Sequence, residues 1–288
     1  MDRKAVKIAT VSLPHYGAEI ADTLRAGSQE KLLEEGKIII REAGLQRPDF
    51  IVLPELFGSF GVPEKIIARQ ALAECVPGKG RVFSFLQEQA RKYNAHIVAG
   101  ILEKDENRYF NSGIMLNRCG ELVGKYRGVH LVSGEGDWIM AGDDFPVFHT
   151  EGVCCGMLIC FDMNFPEAAR CLALQGADVI FWPTMWGLPK DAAYYDAVLR
   201  ARAGENLCFV VSSALVRGPE VGGPDAEVRG RSAIVSRRSE IIVEVGPKVG
   251  TATASVDLDE PICIQEIRAN MLGKLRRPEC YKIISKQQ

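Results

Sequence analysis

What most constrains this chain is a sustained alternation of β-branched apolar runs with segments of helical period, kept up from one end to the other. Residues 5–13 form a β-branched run. Residues 20–43 carry helical spacing, with Leu24, Leu32, Leu33, Ile38 and Ile39 as the apolar face. The spacing then predicts a strand over 50–53, a helix over 79–93 and a strand over 95–102. Residues 109–127 read as a hairpin turning at 118–121. The second half keeps the rhythm. Strands are expected at 153–159, 178–182 and 208–215, with helices at 166–175 and 192–206 between them. A hairpin over 229–236 and 240–245, a last strand at 251–256 and a helix at 262–270 complete the pattern. Strands alternating with helices, and hairpins in both halves, imply an α/β protein with a pair of mixed sheets and helices outside them. No linker divides the halves, so residues 1–288 read as one domain.

Composition narrows the function classes. The 288 residues are 25% charged and 47% hydrophobic, with 35 basic against 37 acidic residues and a net charge of −2. That is an ordinary globular composition with no electrostatic footprint for nucleic acid or an anionic membrane. No stretch approaches the roughly 20 apolar residues that span a bilayer. The N-terminal run holds Lys4 and Lys7 and reads as a strand rather than a signal peptide. Nine cysteines, an odd number, lie mostly in strand-like or helix-like stretches. Reduced thiols in a cytoplasmic setting are therefore expected, not a disulfide framework. No pair has Cys-x-x-Cys spacing and the four histidines stand apart from the cysteines, so neither a metal nor a cofactor is expected.

Three segments carry candidate chemistry. An apolar strand ends at Cys160, a polar turn follows, and Pro166 opens a helix. A cysteine on such an elbow projects from the sheet edge beside amides that can stabilise an oxyanion. Its bland reading is a buried inert thiol. In Leu53-Pro54-Glu55-Leu56, a carboxylate follows a buried strand among apolar residues. Burial would raise its pKa and suit it as a general base; the bland reading is a glutamate reaching solvent at a strand end. In Gly124-Lys125-Tyr126-Arg127-Gly128, Lys125 could hold a negative oxygen, although by itself a surface lysine is the commoner case.

Together these segments resemble the nitrilase superfamily, the carbon–nitrogen hydrolases with a Glu–Lys–Cys triad. The resemblance extends through Gly142-Asp143-Asp144-Phe145-Pro146, Phe165-Pro166-Glu167, Trp182-Pro183-Thr184, Arg200-Ala201-Arg202 and Gly230-Arg231-Ser232. It implies a four-layer α-β-β-α sandwich and a cofactor-free hydrolase. Glu55 would be the base, Cys160 the nucleophile forming a thioester, and Lys125 with the Phe161 N–H the oxyanion site. Glu135 matches a second family glutamate that orients substrate or the lysine. Loops around Trp138, Phe161, Asn164, Met185 and Trp186 would wall the pocket. The resemblance also implies a homodimer or larger assembly, with a C-terminal arm over 275–288 reaching the partner.

Cys160-Phe161-Asp162 resembles the amidase side of the superfamily, and 163–165 offer no cation for a substrate carboxylate. A small carboxamide or an N-carbamoyl amine is therefore the expected substrate. The rivals are a nitrilase and a non-catalytic relative that binds amides or a protein partner. A serine esterase lacks its Gly-x-Ser-x-Gly elbow here, and nucleotide-binding glycine motifs are missing.

Overall fold

The computed structural model describes residues 5–14, 28–59, 70–185, 192–216, 231–259 and 266–285. Among the described residues, twelve strands build two sheets. In the first, β1 (Ala5–Pro14) pairs in parallel with β2 (Phe50–Val52), and β2 with β3 (His96–Asp105). The antiparallel strands β4 (Arg108–Leu116) and β5 (Leu122–Arg127) extend one side, and β12 (Gly250–Asp257) covers the other edge of β1. In the second sheet, β7 (Val153–Met157), β8 (Val179–Thr184) and β9 (Phe209–Val216) are parallel. There β6 (Val147–Thr150) edges β7, while β10 (Ala233–Val235) and β11 (Ile241–Glu244) follow β9. A short parallel contact, Leu13 with Leu215 and Pro14 with Val216, joins the sheets.

Four α-helices among the described residues cover the sheets. On the first sheet lie α1 (Ser28–Leu45) and α2 (Arg81–Tyr93), and on the second α3 (Pro166–Leu174) and α4 (Ala192–Asn206). Leu32, Ile40, Phe83 and Leu86 of α1 and α2 pack on Ala99, Ile101 and Ile114 of the first sheet. The opposite face of that sheet turns Phe50, Val98, Met115 and Tyr126 toward the second sheet, where the Phe50 ring meets Phe181 at 5.3 Å. The result is the expected α-β-β-α sandwich, held by apolar layers that shared strand pleats keep separate. No helix among the described residues is long and apolar enough to cross a membrane.

Several boundaries differ from expectation. The first helix is described from Ser28, and residues 20–27 lie outside the described set. Strand β6 had no counterpart in the sequence reading, because its four residues are only partly covered and pair along one edge. In the expected helix over 262–270, residues 260–265 are outside the described set, and the chain then runs into a π-helical turn, Ala269–Lys274.

Candidate active site

The site gathers at the carboxyl ends of parallel strands, where open α/β sheets present their loops. Glu55 follows β2, Cys160 follows β7, and Met185 follows β8. The turn bearing Glu55 is seated by β3: Gly100 N–H donates to the Pro54 carbonyl and Phe57 N–H to the Gly100 carbonyl. The approach is so close that a Cβ on Gly100 would lie 2.6 Å from the Glu55 Cα. Only glycine fits there.

Glu55 is 2% exposed. Its Oε1 accepts from Asn111 Nδ2 at 2.6 Å and its Oε2 from the Met185 N–H at 2.6 Å. The Cys160 side chain is also within hydrogen-bond reach of the carboxylate. Burial pushes Glu55 up to about 7, with repulsion from Glu135 adding to it, while the bonds from Asn111, Cys160 and Met185 hold it down. A carboxylate that takes up and releases a proton near neutral pH is matched to general base work.

Cys160 opens a 3₁₀ turn, Cys160–Asn164, with φ at 41°. An L-residue in the left-handed region is strained, and such residues cluster at active sites. The Trp182 indole donates to the Cys160 carbonyl at 2.9 Å and helps to hold that geometry. Burial, then the Glu55 charge, pushes the thiol well above its ordinary value. The resting pair is thus a thiol beside a carboxylate, an arrangement in which transfer of the thiol proton to the carboxylate would yield a strong nucleophile.

Both residues face a cavity of about 340 Å³. Glu135 lines it from the 3₁₀ turn Glu135–Asp137, its Oε2 accepting from the Val132 N–H at 3.0 Å. Phe161, Asn164 and Met185 line it as expected. Asn164 accepts from the Tyr194 hydroxyl at 2.9 Å and donates to the Phe161 carbonyl at 3.0 Å. Trp138 is not a lining residue; it is half-buried and caps the Glu135 turn through its N–H. Trp186 lies outside the described residues.

Lys125 requires a correction. The structure does not bring it to the cavity. Its Nζ donates to the Val76 carbonyl at 3.0 Å and to Glu103 Oε1 at 2.5 Å. The cause is strand parity. Lys125 stands opposite Ile114 and Arg127 opposite Ser112, on the helix-covered face of the first sheet. Tyr126 stands opposite Gly113 on the inter-sheet face, which also carries Asn111. Burial pushes Glu103 up, but bonds from Arg127, Lys125 and Ser112 outweigh it and leave the carboxylate below its ordinary value. Lys125 is thus one half of a structural ion pair. On the cavity side this strand ends in Gly128, and the described lining residues include no lysine or arginine.

Sequence reasoning passed over Asn111, Tyr194 and His130, all of which line the cavity. Asn111 had a legible signal: a polar residue inside an apolar strand, 5% exposed, asks for a buried partner. Tyr194 had none, since an aromatic near the start of a helix is more often packing.

This fold and this Glu–Cys pair define a class, and comparison with known proteins places the chain in it. The chain belongs to the carbon–nitrogen hydrolase family, whose model matches residues 7–262. It is 34% identical to a nitrilase of Pyrococcus abyssi over 88% of this chain and 93% of that protein. It is 31% identical to the 2-oxoglutaramate amidase of Bacillus subtilis over 76% and 82% of the two chains. Among solved structures, a Saccharomyces cerevisiae member of the nitrilase superfamily superposes with a TM-score of 0.77 at 24% identity, over 92% of this chain and 93% of that one. An amidase from Nesterenkonia reaches 0.78 at 21% identity over 97% of each chain.

Proposed function

We propose that this hydrolase cleaves a small primary carboxamide, or a carbamoyl group on an amine, through a thioester on Cys160. The observation that carries the reading is the buried Glu55 carboxylate within reach of the strained Cys160 thiol at the wall of a cavity. Glu55 takes the thiol proton as sulfur attacks the carbonyl carbon. The Phe161 N–H donates to the resulting oxyanion. Glu55 then returns the proton to nitrogen, the C–N bond breaks, and ammonia leaves. Water gives a proton to Glu55 and attacks the thioester; the acid departs and the thiolate recovers its proton. Glu135, at the cavity wall, accepts from the substrate NH₂ and orients it.

The substrate class rests on the lining. Apolar Leu131, Val132 and Phe161 surround the polar groups, and the described lining offers no lysine or arginine to a buried substrate carboxylate. An unpaired buried charge costs several kcal/mol. That same absence among the described lining residues favours a second reading, amide binding without turnover. An ammonia-release screen over carboxamides, ureido compounds and nitriles decides between them, with Cys160→Ala as control. Release from a carboxamide that Cys160→Ala abolishes supports hydrolysis. Saturable amide binding without release supports the second reading, and a tenfold preference for the matched nitrile would overturn the substrate class.

We further propose a cytoplasmic homodimer built on one domain. Free thiols at all described cysteines suit a reducing compartment. The tail supports the assembly, since Leu275, Tyr281, Ile283 and Ile284 are exposed apolar groups on a short segment.

A further inference from the structure

One buried carboxylate near the cavity is not used by the chemistry above. Asp162 is fully buried and accepts from two parts of the chain. Its Oδ2 takes the Ile159 N–H at 2.9 Å and the Tyr126 hydroxyl at 2.6 Å. Its Oδ1 takes the Val129 N–H at 3.2 Å, the His130 N–H at 2.9 Å and His130 Nδ1 at 2.9 Å. An ionised carboxylate only accepts, so both hydroxyl and imidazole must donate to it. Burial, with the Asp162 charge beside it, pushes the Tyr126 phenol well up and keeps that hydroxyl protonated.

The two groups of donors belong to two separate segments that both line the cavity. Ile159 immediately precedes Cys160, so its N–H fixes the backbone that enters the strained φ of 41°. Gly128, His130, Leu131 and Val132 line the cavity beside that turn, and Gly128 N–H donates to the carbonyl of Asn111, whose side chain holds Glu55. The His130 ring is further fixed by stacking on Phe165, centroids 3.6 Å apart and 8° from parallel. One carboxylate thereby ties the turn that bears Cys160 to the adjoining 126–130 segment.

We infer that Asp162 is a positioning residue, acting through Ile159 and the 126–130 segment to hold Cys160 in its reactive conformation against the Glu55 side of the cavity. The inference rests on the thioester reading above. Asp162→Asn keeps shape and volume but leaves one acceptor oxygen and turns an NH₂ toward groups that already donate. The expected result, with the folded fraction confirmed by circular dichroism, is a kcat for butyramide hydrolysis about 10- to 100-fold below wild type, as for a small misplacement of a reacting group. KM should stay within about threefold, because the apolar lining is untouched. Alkylation of Cys160 by iodoacetamide, read by peptide mass spectrometry, should slow in parallel.

A folded Asp162→Asn with wild-type kcat and alkylation rate would overturn the inference. If Asp162→Asn does not fold, Tyr126→Phe replaces it: loss of one donor should lower kcat about three- to tenfold at constant KM, and an unchanged kcat overturns the inference. Cys160→Ala, run alongside, separates the two claims. Wild-type ammonia release from Cys160→Ala removes the thioester reading and this inference with it. Loss of release there, with Asp162→Asn unaffected, removes this inference alone.

Discussion

Glu55 links catalysis to stability with opposite signs. Its folded value of about 7 stands above the ordinary 4.5. An acid raised in this way costs the fold nothing below pH 4.5, where both states are protonated. The cost grows as pH rises, because only the unfolded state ionises readily, and it is complete above pH 7. The shift corresponds to about 3 kcal/mol. The pH-dependent cost is absent from Glu55→Gln, so the stability of Glu55→Gln relative to wild type should rise between pH 4 and pH 8, as urea titrations at the two pH values would show. The same variant should lose about 10² or more in kcat/KM, whereas the wild-type rate should climb as pH rises through about 7. Lys125 belongs to a different account. Lys125→Met should keep catalysis within about threefold and lower stability by about 1–3 kcal/mol, because Arg127 still pairs with Glu103. A loss of kcat near that of Cys160→Ala, with a normal melting curve, would return Lys125 to the chemistry.

Elements decide where such residues can point, and here the sequence was partly legible. The helix Ala192–Asn206 and the strand–turn–helix around Cys160 follow from local sequence pattern and, for the latter, from Pro166 at the helix start, so both were readable. The face on which Lys125 lies depends on the register of β5 against β4 and on which side of that sheet helices α1 and α2 cover. Neither is local, and a shift of one residue would reverse the assignment. Asn111 and Glu55 meet only because β4 and the turn after β2 come together across β3. Support for the nucleophile turn is likewise distant. Arg202 of α4 is 7% exposed and donates to the carbonyls of Met163 and Asn164 at 3.0 and 3.2 Å. Arg202→Ala would strand both carbonyls, and a loss of about 2–4 kcal/mol in denaturant unfolding is expected. Gly100→Ala should depress both stability and kcat, since its methyl group would press on the Glu55 backbone.

At the scale of the molecule, two sheets facing each other bring the proposed base, Glu55, from one half of the chain and the proposed nucleophile, Cys160, from the other. Activity thus requires both sheets to be in place, which ties catalysis to the whole fold rather than to a detachable loop. Among the described residues, the tail is one place where apolar side chains stay uncovered, with Leu275 71% exposed and Ile283 66% exposed. Removing residues 275–288 should weaken self-association. Analytical ultracentrifugation would show it, and a full-length chain that sediments as a monomer at micromolar concentration would contradict the dimer. The central claim, that Cys160 carries the acyl group, is tested most directly by acid-quenching the wild-type enzyme in early turnover of a carboxamide and mapping adducts by peptide mass spectrometry. The account predicts one acyl mass on the peptide containing Cys160, absent from Cys160→Ala. Ammonia release with no adduct on Cys160, or with the adduct on another residue, would contradict it.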